Sequence, residues 1–225
     1  MKHIHTLFIL DRSGSMLPYK SRTLESLNSN LESLRVESKK AGVKVYNTLM
    51  TFASTSSGWD AGDGIINESD FLYPRIMSDV DTIVNLTDND YSPEGGTPLL
   101  DAIGLGIERL KKELGDSVGS DDVSILVTIF TDGSENSSTK YTKPQIKTMI
   151  DHFSADKKWT FAFVGCGSLD NVSATSGQLG ISAKNTLAFD ATNTGYTHAY
   201  SSYSTCCRSF INAVATNTST DNLFR

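Results

Sequence analysis

Short apolar runs alternate with amphipathic helical segments along most of this chain, and this alternation limits the folds open to it. The runs at 4–10, 43–52 and 123–130 are rich in apolar and β-branched residues, as buried parallel strands are. Between them apolar residues recur at helical spacing, as in Leu24, Leu27, Leu31 and Leu34. Strands that alternate with helices predict an α/β fold: a doubly wound, Rossmann-like, mostly parallel sheet with helices on both faces.

The other elements are predicted from weaker signals. We expect further strands at 159–164 and 186–189, and a weak strand at about 63–67 that is a candidate antiparallel edge. This makes about six strands. The segment 68–95 is the least informative, with a short helix predicted at 79–86. Further helices are predicted at 98–114, 142–153, 169–180 and 196–214.

The length of the chain and the absence of a linker limit the number of domains. A chain of 225 residues is enough for one α/β domain with a substantial core. No internal repeat or linker interrupts the pattern, so we predict a single domain over 1–217. The polar residues 218–225 are predicted to form a flexible tail.

Charge and composition argue against several classes of function. The formal net charge of −6 and the lack of a basic run disfavour binding to nucleic acid or to a membrane surface. The first ten residues are too short and too interrupted for a signal peptide, so we expect a cytoplasmic protein. The three cysteines, an odd number, are expected to be reduced.

Three separated segments carry the side chains that indicate chemistry: Asp11-Arg12-Ser13-Gly14-Ser15, Gly96-Thr97-Pro98 and Thr131-Asp132-Gly133. Asp11 follows the first predicted strand and Asp132 follows the strand at 123–130. Both should therefore lie at the carboxyl edge of the sheet, where ligands of such folds bind. The oxygen donors are two carboxylates and three hydroxyls: Asp11, Asp132, Ser13, Ser15 and Thr97. Oxygen-only sets suit a hard divalent cation, Mg²⁺ first, with Mn²⁺ or Ca²⁺ as alternatives.

These segments resemble the metal-ion-dependent adhesion site of the von Willebrand factor type A (VWA) family. Asp11, Ser13 and Ser15 match its DxSxS motif, Thr97 matches its lone threonine, and Asp132 matches the aspartate of its TDG segment. All five positions match in order. The stretch from Asp132 through the strand at 159–164 also looks like stand-alone bacterial and phage members of the family.

The resemblance implies a function as well as a fold. In the family the hydroxyls and aspartates hold the metal directly or through water, and one coordination position is left for a partner's Asp or Glu. The implied function is therefore that of a metal-dependent protein-interaction module without enzymatic activity. We expect the domain to be a monomer on its own. Candidate rim segments that would give specificity flank the site in sequence: Met16–Lys20, Ser92–Gly96 and Ser134–Lys140.

Two other hypotheses use the same metal. A Mg²⁺-dependent phosphohydrolase on a similar fold would also place an aspartate after the first strand. It would need a general acid two residues later, where this chain has Ser13. The other alternative is a scaffold whose metal is purely structural. Chelator-sensitive thermal stability without any partner would favour it.

Overall fold

The computed structural model describes residues 1–55 and 67–224 and contains a six-stranded sheet. The strand order is β3-β2-β1-β4-β5-β6, and all neighbours are parallel except β2 and β3. The strands are β1 His3–Asp11, β2 Lys44–Phe52, β3 Phe71–Asp79, β4 Val123–Thr131, β5 Trp159–Cys166 and β6 Thr186–Phe189. The predicted fold class, a mostly parallel sheet with one antiparallel edge strand, is confirmed.

In the described part of the chain, five α-helices cover the two faces of this sheet: α1 Lys20–Ala41, α2 Leu99–Leu114, α3 Lys143–Ser154, α4 Leu169–Gln178 and α5 Asn193–Thr216. Buried side chains of α1 and α5 form one core with one face of the strands, and those of α2, α3 and α4 form a second core on the other face. The central strands are buried on both sides, which explains their nearly continuous apolar sequences.

Local sequence signals account for several helix ends. Helix α1 stops at Gly42, which adopts a left-handed conformation at φ 65° and donates its N–H to the Lys39 carbonyl. At the start of α3, the Thr142 N–H donates to Gln145 Oε1 over 2.8 Å, as the predicted capping box requires. These ends set the lengths of the loops that lead to and from the sheet.

The segment 68–95 differs from its prediction. The weak strand expected at about 63–67 lies almost wholly outside the described residues, and the antiparallel edge strand is β3. The predicted helix at 79–86 is wrong, because residues 80–82 form a turn and 83–87 are irregular.

Side chains of α1 explain why no helix forms there. Arg35 donates to the carbonyls of Val80 and Ile83. Asn28 binds both backbone groups of Leu86, accepting from its N–H at 2.8 Å and donating to its carbonyl at 3.0 Å. A backbone group that bonds to another element cannot also form the hydrogen bond between residues i and i−4 that a helix requires.

The described part of the predicted flexible tail, 218–224, packs on the body of the domain. Leu223 is 2% exposed, and Asn185 Oδ1 accepts the N–H groups of Asn222 and Leu223 at 2.8 and 3.1 Å. Leu223 and the half-buried Phe224 both pack against the core, and the polar composition of the tail gave these two apolar residues little weight. None of the helices in the described residues is long and apolar enough to cross a membrane.

Candidate metal centre at the carboxyl edge of the sheet

The two aspartates lie where two adjacent parallel strands end. Leu10 of β1 pairs with Phe130 of β4, so the strands finish side by side. Asp11 is the last residue of β1, and Asp132 comes one residue after β4 ends at Thr131. The sheet order therefore brings together two carboxylates that are more than a hundred residues apart in the chain.

Asp11 is fully buried and fixed by two hydrogen bonds. Its Oδ1 accepts the Ser13 N–H at 2.7 Å, and its Oδ2 accepts the Thr131 hydroxyl at 2.6 Å. Burial raises the pKa of this carboxyl to about 6, because desolvation outweighs the hydrogen bonds, and the nearby Asp132 charge raises it further. A cation beside Asp11 would favour the charged form.

The two serines connect the first segment to Asp132. Ser13 Oγ lies 3.1 Å from Ser15 Oγ, and Ser15 Oγ donates to Asp132 Oδ1 over 2.8 Å. Because the Ser15 proton is directed at the carboxylate, Ser13 is the donor between the two hydroxyls, and one lone pair of Ser15 Oγ stays free for another partner. Ser13 is buried, Ser15 is exposed, and Asp132 is half-buried, so the cluster opens to solvent on the Ser15 side.

Thr97 faces the same space from a third segment. A methyl group at Gly133 would lie 3.0 Å from Thr97 Oγ1 and 3.8 Å from Asp11 Oδ2, so both oxygens border this glycine. Asn136 holds Thr97 by its backbone, accepting the Thr97 N–H at 2.8 Å and donating its own N–H to the Thr97 carbonyl at 3.2 Å. The structure thus brings all five sequence-predicted residues to one place.

Two acidic side chains that the sequence reasoning missed hold the rim segment Ser134–Lys140 on helix α2. Glu135 Oε2 accepts the Leu100 N–H at 2.9 Å. Asp101 accepts the N–H groups of Lys140 and Tyr141 at 2.9 and 2.7 Å, and it is 2% exposed. Acids at a helix N-terminus are common, so spacing alone carried no signal for these long-range contacts.

Two buried tyrosines also bind the aspartates. The Tyr196 hydroxyl of α5 donates to Asp132 Oδ2 over 2.6 Å, and the Tyr91 hydroxyl donates to the Asp11 carbonyl over 2.6 Å. Burial, and then the hydrogen bond to Asp132, raises the pKa of Tyr196, which keeps its proton. Tyr196 belongs to the buried face of α5, and nothing in the helical spacing of the sequence indicated the role of its hydroxyl.

The donor set fits a hard cation. Two carboxylates and three hydroxyls are oxygen ligands of the type that Mg²⁺ prefers, and water can complete its shell. Among residues 1–55 and 67–224, no group of three or more His, Cys, Asp or Glu side chains is arranged to hold a metal. A site here would therefore depend on the hydroxyls as well as on Asp11 and Asp132.

The two histidines of β1, His3 and His5, are two residues apart and lie far from this cluster. They are on β1 at the amino end, opposite the edge where Asp11 lies. Both rings stack on Tyr46, with centroid distances of 6.0 and 4.9 Å. Packing on an aromatic ring explains both histidines without a metal.

Comparison with known proteins finds a likeness of fold. No protein-family model matches the sequence, and no curated protein matches it. The pilus adhesin SpaC of Lactobacillus rhamnosus GG, in its open conformation, has a TM-score of 0.62 at 11% identity, covering 94% of this chain and 30% of that one.

Two VWA domains of known structure are also similar. The SpRpn10 VWA domain has a TM-score of 0.52 at 8% identity and covers 99% of this chain and 98% of that one. The ArnB paralog VWA2 of Sulfolobus acidocaldarius has a TM-score of 0.53 at 12% identity and covers 89% and 45%. The chain spans less than half the length of the adhesin and of VWA2. Its fold is VWA-like.

Proposed function

We propose that this VWA-like domain binds a divalent cation, Mg²⁺ in preference, and uses it to bind a carboxylate of a partner protein. The carrying observation is the convergence of two carboxylates and three hydroxyls, from three distant segments, at one edge of the sheet. These are Asp11, Ser13, Ser15, Thr97 and Asp132. A bound cation would supply the positive charge that attracts an Asp or Glu of the partner.

Charge supports this proposal. The charge of Asp132 is close enough to raise the pKa of Asp11, and this repulsion is relieved when a cation lies between the two carboxylates. Tyr196, Thr131 and Ser15 hold the carboxylates in fixed orientations, which lowers the cost of organising them around a metal.

The exposure of one side of the site supports the second part of the proposal, the binding of a partner's carboxylate. The inner ligands Asp11, Ser13 and Thr97 are buried, whereas Gly14 and Ser15 are exposed. A cation held here would be enclosed by the protein on one side and open to solvent on the other. The open side leaves room for an incoming carboxylate, which a purely structural metal site does not need.

Calorimetric titration of Mg²⁺ into the metal-free protein tests whether the cation binds at this site. We expect Asp132→Ala to abolish measurable binding and Ser13→Ala to weaken it less, because water can replace a neutral hydroxyl. Asp116→Asn is the matched control, since this acid lies in the short 3-10 helix Gly115–Gly119, which precedes β4 at the opposite edge of the sheet. Equal affinity of wild type and Asp132→Ala would refute the assignment of the ligands.

Water-proton relaxation with Mn²⁺ as the probe tests whether the bound cation binds a carboxylate of a partner. Exchangeable water on bound Mn²⁺ should enhance relaxation, and a peptide with one glutamate should displace that water. The same peptide with glutamine is the control. If both peptides have the same effect, or neither has any, the carboxylate mechanism is wrong even where the metal binds.

A further inference from the structure

Arg12 lies between two of the proposed ligands and is almost completely buried. It separates Asp11 from Ser13 in sequence and is 2% exposed. Arginine is seldom buried to this extent unless its guanidinium is paired. The question is what this side chain holds in place.

The guanidinium reaches across to two other loops. Nη1 donates to the Ser92 carbonyl at 3.0 Å and to Glu94 Oε1 at 2.9 Å, and Nη2 donates to the Ser69 carbonyl at 3.2 Å. Two of these three acceptors belong to the segment Ser92–Gly96, which leads directly into Thr97. The planar fork of arginine suits such divergent acceptors, whereas a lysine ammonium does not.

The backbone strengthens the same connection. The Glu94 N–H donates to the Arg12 carbonyl at 2.8 Å, and the Gly14 N–H donates to the Gly95 carbonyl at 3.0 Å. Gly95 has φ +65°, and a methyl group there would lie 1.8 Å from the Ser54 carbonyl oxygen, so the segment follows one tight path. The segment that carries Thr97 is thus fixed to the loop that carries Ser13 and Ser15.

We propose that Arg12 is a positioning residue of the metal site: it sets the place of Thr97 relative to Ser13 and Ser15, and thereby the affinity for the cation. This inference rests on the proposed function. A role in stability alone fits the contacts less well, because Glu94 is 57% exposed and its ion pair with Arg12 is open to solvent on that side.

A double-mutant cycle with Thr97 tests the proposal. In the wild-type background, Arg12→Lys should weaken Mg²⁺ binding by about 10-fold, as loss of groups that orient metal ligands does. In the Thr97→Val background the same change should have an effect of less than about twofold, because the ligand that Arg12 positions is gone. If Arg12→Lys changes the affinity for Mg²⁺ by the same factor in both backgrounds, or changes it in neither, the proposal is overturned.

Glu94→Gln is the second variant, for the case in which Arg12→Lys fails to fold. Glu94 is exposed, so this change should leave the domain folded while it weakens one contact of Arg12. It should lower Mg²⁺ affinity modestly, and only while Thr97 is present. A loss that persists in Thr97→Val would indicate a general electrostatic effect and contradict positioning.

Hydrogen exchange in the metal-free protein separates this proposal from the proposed function. Arg12→Lys should speed exchange of the amides at Gly95 to Thr97. Arg109→Lys should not, because Arg109 pairs with Glu113 far along α2. Unchanged exchange in Arg12→Lys would refute the positioning role even if the metal binds. Faster exchange in a protein that binds no metal would refute the proposed function and, with it, the effect of Arg12 on affinity.

Discussion

The two aspartates of the site have different surroundings, and this difference decides how each could serve a cation. Asp11 is buried, and its oxygens accept from Ser13 and Thr131 within its own edge of the sheet. Asp132 is half-buried, and its oxygens accept from two other elements, the Ser15 loop and helix α5. Asp132 is therefore the carboxylate through which distant parts of the domain can act on the site.

Tyr196→Phe tests this connection at the level of one hydroxyl. The change keeps the ring in its stack on Tyr19, at a centroid distance of 3.7 Å, and removes the donor to Asp132 Oδ2. We expect Mg²⁺ affinity to fall by about 10-fold, because the carboxylate loses one of the two donors that orient it. Calorimetric titration measures the change.

Tyr200→Phe is the matched control for this prediction. Tyr200 is buried in the same aromatic cluster, but its hydroxyl bonds to Thr23 at 2.8 Å. It should leave the affinity for Mg²⁺ within about twofold of wild type, since second-sphere effects act through the ligands that a group touches. Equal losses in both variants would mean that cluster packing matters and the contact to Asp132 does not.

Helix α2 is the element that holds the rim beside Thr97. In its first turn, the Leu100 N–H donates to the Glu135 carboxylate, and Asp101 accepts backbone N–H groups from the loop before α3. One turn further, Gly104 packs directly under Tyr141, so a methyl group there would lie 2.4 Å from the ring. The close approach of loop and helix thus depends on a residue without a side chain.

Gly104→Ala and Gly177→Ala should have opposite effects on stability. At Gly104 the added methyl overlaps Tyr141, and overpacking of this kind costs about 1–3 kcal/mol. At Gly177, in α4, nothing lies within 4 Å of an added methyl. Alanine there should stabilise by roughly 0.5–1 kcal/mol through its higher helix propensity.

Urea unfolding of both glycine variants measures these differences. Because both changes add the same methyl group to a helix, propensity alone would make both variants more stable. A Gly104→Ala protein that is as stable as Gly177→Ala would contradict the packing of the rim loop on α2.

At the scale of the whole molecule, the domain has two chemically different ends. The carboxyl edge of the sheet carries the oxygen cluster, and the amino edge carries His3 and His5 against Tyr46. His5 is 5% exposed, and its Nδ1 has no hydrogen-bond partner among the described residues. Burial, followed by the charge of His3, lowers the pKa of His5 from 6.5 to about 4.

This lowered pKa predicts that protonation of His5 destabilises the folded protein in acid. Between pH 6.5 and about 4 the unfolded chain binds a proton at His5 that the folded protein does not. The contribution of His5 to stability is then fully present above pH 6.5 and is lost as the pH drops through this window, whereas Asp11, whose pKa is raised to about 6, acts in the opposite direction. At about 1.4 kcal/mol per pKa unit, the loss from this one group approaches roughly 3 kcal/mol at the acid end.

Urea unfolding across this pH window, in chelator, measures the effect. His5→Gln removes this titrating group, so the stability of the variant should rise relative to that of wild type, by up to roughly 3 kcal/mol, as the pH falls through the window. His152→Gln, at an exposed histidine, should follow the wild-type curve. Parallel curves for wild type and His5→Gln would show that His5 does not cause the dependence.

The sequence by itself determined the kind of fold and the list of candidate ligands. Periodicities of two and 3.6 residues record which side of a strand or helix is buried, and this information is local. It was enough to place Asp11 and Asp132 at strand ends. The edge strand β3 was not predicted, because it is held by long-range pairing with β2, and the irregular stretch after it was not predicted, because its backbone groups bond to Arg35 and Asn28 on α1.

Only the tertiary structure decided which segments meet and what holds them. The pairing of β1 with β4 brings Asp11 beside Asp132, and the local pattern contains no trace of that choice. The contacts of Arg12 with the Ser92–Gly96 segment and of Tyr196 with Asp132 span more than 60 residues of sequence. Such contacts depend on how whole elements pack, so no short window of sequence records them. Cation binding at this site stays a prediction that the titrations test.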